Sequence, residues 1–82
     1  AEFWPSYVRG QAYLRLKQPR EASAQFGHIT DHRGEAPTSP LYSLSLLGSA
    51  RASALAGDLD AARERYRQFL DSWNDADANL AV

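Results

Sequence analysis

Hydrophobic residues recur at helical spacing in four stretches, separated by breaks rich in proline, glycine or charge. From Pro5 the apolar positions Tyr7, Val8, Ala12, Tyr13 and Leu16 suit a helix broad-faced enough to be touched on two sides. Pro5 belongs in its first turn, where a missing N–H costs nothing. Lys17 to Pro19 interrupts the pattern, and Ala22, Phe26 and Ile29 then follow at spacings of 4 and 3. The stretch TDHRGEAPTSP, from Thr30 to Pro40, has no helical stripe and reads as a loop. Ser39 offers an N-cap hydroxyl ahead of Pro40, after which Leu41, Leu44, Leu47, Ala50 and Ala54 run at spacings of 3, 3, 3 and 4. Gly57 fits a helix C-cap and Asp58 an N-cap. The last stripe is the cleanest: Leu59, Ala62, Tyr66, Phe69, Leu70 and Trp73 are spaced 3, 4, 3, 1 and 3 and are expected to bury well. Asn74 to Val82 has too few periodic positions for a stable helix and is expected to fray.

These stretches form a repeat. Gly10, Tyr13, Ala22 and Phe26 stand at the same offsets as Ala50, Ser53, Ala62 and Tyr66, so the period is 40 residues. Leu16 coincides with Ala56, and Ile29 with Phe69. The expectation is a single all-α domain of two stacked helix-turn-helix hairpins. Its helices lie near residues 5–17, 19–30, 40–56 and 59–73: unit one spans 5–30, a loop 31–39, unit two 40–73 and a tail 74–82.

A small residue, then Tyr three positions on, then Ala-x-x-x-Phe nine positions after the Tyr, resembles the tetratricopeptide repeat. The resemblance implies that Gly10, Ala50, Ala22 and Ala62 let paired helices approach, while Phe26 and Tyr66 fill the gap between one hairpin and the next. The family's period is about 34 residues, and here the loop lengthens it. Ser53 also replaces the tyrosine in unit two, leaving that packing site half empty. YVRGQAYL (7–14), DHRG (31–34) and residues 50–77 are similar to the C-terminal tetratricopeptide segment of bacterial, especially acidobacterial, signalling proteins, in which such repeats follow a serine/threonine kinase or a winged-helix domain. This implies a non-catalytic module cut from a longer cytoplasmic chain, with an extracytoplasmic position in a membrane-anchored parent as the alternative.

Composition sets limits on that picture. Eighty-two residues, 44% hydrophobic, support one small core. The absence of cysteine removes disulfides and thiolate metal sites, and the absence of methionine suggests a piece of a longer protein. A net charge of −1 provides no field to draw the chain onto nucleic acid, and no apolar run is long enough to insert into a membrane. Two repeats fall below the three or so that usually stand alone, so a homodimer or further repeats are expected to complete the buried surface.

No motif for catalysis stands out: there is no Gly-x-Ser-x-Gly elbow, no His-Glu-x-x-His and no phosphate-cradling glycine loop. His28 and His32, with Asp31 or Glu35, have the spacing of a metal site in a ligand-sensing alternative, although a loop beginning at Thr30 would break it. The expected reading is a polar helix end with no cofactor and no metal. Asp75 and Asp77 lack the glycine and glutamate of a calcium loop. Arg63, Arg65 and Arg67 alternate around their helix with Asp60, Glu64 and Asp71 in reach, as on a solvated face. The remaining candidate is a surface for a peptide or a partner's helix, formed by the first helix of each unit. Under the 40-residue alignment it comprises Tyr7, Gln11 and Arg15 with Leu47, Arg51 and Leu55. Gripping a C-terminal carboxylate through paired Asn and Lys is disfavoured, because Val8 and Gly48 stand at those places.

Overall fold

The computed structural model describes residues 4–31 and 40–80, with side chains except at Pro40 and residues 75–80. Every regular element among them is a helix: α1 (Trp4–Arg15), α2 (Pro19–Thr30), α3 (Pro40–Leu55) and α4 (Leu59–Leu80). The loop expected over 31–39 lies outside the described residues apart from Asp31, as do the Ser39 cap, His32 and Glu35.

The repeat is visible in backbone hydrogen bonds. At the end of α1 the N–H of Lys17 donates to Leu14 O at 3.1 Å and that of Gln18 to Tyr13 O at 2.9 Å, with Lys17 in the left-handed region at φ 58°. At the end of α3 the N–H of Gly57 donates to Ala54 O at 3.1 Å and that of Asp58 to Ser53 O at 2.9 Å, with Gly57 at φ 87°. Both are Schellman closures, 40 positions apart. They differ in chemistry. Gly57 takes the positive φ without a Cβ penalty, whereas Lys17 bears one of about 1–2 kcal/mol. Asp58 also caps α4 by accepting from the Ala61 N–H at 3.1 Å, while Gln18 makes no side-chain cap to α2.

Packing is unequal among the helices. Among the described residues α1 pairs with α2 and α3 with α4, α3 also packs on α2 and α1, and α3 is the one helix that α4 touches. The core centres on Phe26, buried with Ala22 and Ala52 and flanked by Tyr7, Tyr13 and Leu14. Two glycines make room for its ring. A Cβ at Gly10 would stand 2.6 Å from Phe26 Cζ, and one at Gly48 would stand 2.5 Å from it. Phe26 therefore fills the gap to the next hairpin, the place that the resemblance implies for it, and the gap within its own hairpin as well.

Four expectations are corrected. First, α4 continues through residues 74–80 instead of fraying after Trp73. That stretch holds no glycine or proline, and extending an established helix requires no new nucleus. Second, the α4 stripe does not bury well: Ala62 is buried, but Leu59, Tyr66, Leu70 and Trp73 are exposed, because among the described residues only α3 packs on this helix. Third, α1 is touched by both α2 and α3, through Ser6, Gly10, Tyr7, Tyr13 and Leu14, but three of its expected apolar positions, Val8, Ala12 and Leu16, are exposed. Fourth, the leucine stripe of α3 is not its deepest face. Leu41, Leu44 and Leu47 are half-buried and Ala54 is exposed, while Ser43, Ser45, Leu46, Gly48, Ala50 and Ala52 are buried. A helix enclosed by neighbours on several sides needs small residues all round rather than one stripe. Ser43 Oγ and Ser72 Oγ, 2.6 Å apart, hydrogen-bond α3 to α4. The buried Ser45 hydroxyl has no hydrogen-bond partner among the described residues.

Candidate interaction surface

The six residues chosen from the repeat form two rows of helical spacing on helices that touch, Tyr7, Gln11 and Arg15 on α1 and Leu47, Arg51 and Leu55 on α3. The first row flanks the buried side of α1: Ser6 and Gly10 turn inward, and Gly10 brings α1 down onto the Phe26 ring.

The rows are not uniform. Tyr7 is half-buried, with its ring edge-on to Phe26 at 5.9 Å between centroids and stacked on Trp4 at 5.6 Å. It is committed to the core and offers a partner only part of its surface. Gln11 and Leu47 are half-buried as well, whereas Arg15, Arg51 and Leu55 are exposed. Arg15 lies in the last turn of α1, where the helix dipole favours a cation. Two guanidinium groups beside apolar side chains can pair with carboxylates and shield a partner's aliphatic groups at once.

The other candidates separate clearly. His28 is exposed in the last turn of α2, and among the described residues no three His, Cys, Asp or Glu side chains are grouped to hold a metal. Arg63, Arg65 and Arg67 are exposed on α4, where Arg67 Nη2 meets Glu64 Oε2 at 2.7 Å and Arg65 Nη1 donates to Gln68 Oε1 at 2.9 Å. The guanidinium of Arg67, donating to Glu64, holds that carboxyl below its ordinary range. Arg65 and Arg67 are thus engaged along their own helix, as on a solvated face. No helix among the described residues is long and apolar enough to cross a membrane.

Two apolar rows, Trp4, Val8 and Ala12 on α1 and Leu59, Tyr66, Leu70 and Trp73 on α4, are exposed, although sequence reasoning, which did not single out Trp4, expected the α4 stripe to be covered. The signal was present in the repeat itself: Val8 and Ala12 align with Gly48 and Ala52, which cover Phe26 from the next hairpin. Comparison of the chain with protein-family models, curated proteins and solved structures finds no match. Its function is therefore argued from its own residues.

Proposed function

We propose that this chain is a non-enzymatic protein-interaction module of tetratricopeptide type, from a bacterial signalling or regulatory protein, that binds an extended acidic and apolar peptide across α1 and α3. The observation that carries this reading is the exposure of Arg15, Arg51 and Leu55 on two helices in contact, at positions related by the 40-residue repeat. Leu47 and the accessible part of Tyr7 supply apolar contact beside them, and arginine with aromatic groups is a composition typical of binding hot spots. Because α1 and α3 are held through Phe26, the surface is presented without an ordering cost on this side of the complex.

A displayed library of random peptides, selected on the 82-residue chain, tests the proposal. Selected peptides are expected to be enriched in Asp or Glu beside Leu, Ile or Phe. Their affinity by fluorescence anisotropy should fall at least tenfold in Arg51→Glu and Arg15→Glu, and weaken with salt. Selection of no common sequence, or binding indifferent to both charge reversals, overturns it.

A further inference from the structure

The outer faces of the first and last helices are both apolar, and the chain itself shows how two such faces fit together. On α1, Trp4, Val8 and Ala12 recur every fourth residue opposite the buried Ser6 and Gly10, and Trp4 is 57% exposed. On α4, Leu59, Tyr66, Leu70 and Trp73 share one face at spacings of 7, 4 and 3, and Leu70 is 55% exposed. Trp73 is stacked on Phe69 at 5.8 Å, which stiffens that face.

The junction between α2 and α3 relates these two faces. There the Phe26 side of α2 is covered by Gly48 and Ala52 of α3. Moving both by the 40-residue period, Phe26 becomes Tyr66, while Gly48 and Ala52 correspond to Val8 and Ala12. The exposed face of α4 is thus the counterpart of a surface that the chain covers internally. The exposed face of α1 is the counterpart of the surface that does the covering. Charge does not oppose the match: α1 carries Arg9 and Arg15 with no acidic residue, and the described side chains of α4 balance Asp60, Glu64 and Asp71 against Arg63, Arg65 and Arg67.

We infer that the chain associates head to tail with a second copy, the outer face of α1 of one copy seating on the outer face of α4 of the other. Such an interface is heterologous, so each copy retains one unused face and association proceeds beyond the dimer unless a ring closes. The contact is wider than the internal junction, because Val8 stands where Gly48 admits the Phe26 ring. It borders the peptide surface at Arg15 and at Tyr7, on which Trp4 is stacked, but Val8 and Leu70, which test it, lie outside that surface, so the two proposals are tested separately.

Sedimentation of the 82-residue chain over a range of concentrations, with far-UV circular dichroism to verify folding, provides the test. The weight-average mass is expected to rise with concentration. Val8→Glu blocks the α1 face and Leu70→Glu the α4 face, both at exposed positions. Each variant alone is expected to sediment as a monomer, and an equimolar mixture to form a 1:1 dimer that grows no further, since one intact face remains on each. Ala12→Glu and Trp73→Glu form a second pair should either of the first lose helical signal. Three results overturn the inference: a wild-type chain that stays monomeric up to hundreds of micromolar, association that persists in either single variant, or a mixture that remains monomeric.

Discussion

Phe26 and Tyr66 occupy the same place in the two units, yet Phe26 is 0% exposed and Tyr66 is 38% exposed. The hairpins that carry them have matching turns and matching small residues at Gly10 and Ala50, and at Ala22 and Ala62. The difference lies in what stands on the far side. Phe26 has α3 against it, with Gly48 opened to receive the ring, whereas Tyr66 has no helix over it among the described residues. In a stacked array the burial of a residue is decided by the neighbouring unit as much as by its own.

The largest expected effect comes from truncating each ring in turn. Phe26→Ala should cost about 3–5 kcal/mol in chemical denaturation, the usual range for removing an enclosed phenylalanine. Tyr66→Ala should cost about 1 kcal/mol or less, in line with surface substitutions away from special features. Equal losses would show that α4 is covered in solution, and repeating Tyr66→Ala at a concentration where chains associate would sharpen the contrast.

The glycines come next. Gly48→Ala sets a Cβ against a ring that Gly10 already confines from the other side, so about 1–3 kcal/mol of overpacking is expected. Gly27, on the same helix as Phe26, has nothing within 4 Å of an added Cβ, so Gly27→Ala should instead stabilise by about 0.5–1 kcal/mol. Thermal melts of the two variants should therefore move in opposite directions.

Much of this fold was legible in the chain. Stripe spacing, Pro19, Gly57 and Asp58 set the helix boundaries to within a residue or two except at the end of α4, which runs seven residues further, and the resemblance to the tetratricopeptide repeat implied Phe26 as a spacer between hairpins. Burial was harder to read. Leu59, Tyr66, Leu70 and Trp73 form a better stripe than anything on α3, but periodicity reports which residues share a face and not whether a neighbour covers it. Conversely, Ser43, Ser45 and Ser49 are buried with little apolar signal, because a closely surrounded helix selects for size before hydrophobicity. For the surface, spacing placed the six residues on two adjacent helices, and it could not reveal that Tyr7 would be held by Phe26 and Trp4.

Smaller effects distinguish the two turns. Lys17→Gly should stabilise the chain by about 1 kcal/mol by relieving the left-handed lysine, and Gly57→Ala should cost a similar amount in the equivalent turn. If neither moves the denaturation midpoint, the backbone matching of the units does not extend to their energetics. The smallest effect belongs to Glu64, which accepts from Arg67 on the exposed side of α4 and titrates below its ordinary range. As pH falls the unfolded chain binds that proton first, so the pair's contribution is present above the ordinary glutamate range and is lost as pH drops through the depressed value. Glu64→Gln should flatten the acid limb of a stability profile only slightly, as expected for a solvated pair.

The arrangement in which α3 touches all three other helices, while α4 touches α3 alone among the described residues, also sets an order of opening. α4 can lift away without disturbing the Phe26 site, but α2 cannot leave without taking that ring from between Gly10 and Gly48. Backbone amides of α4 should therefore exchange with solvent first and those around Phe26 and Ala52 last, a gradient of protection running from one end of the array to its middle.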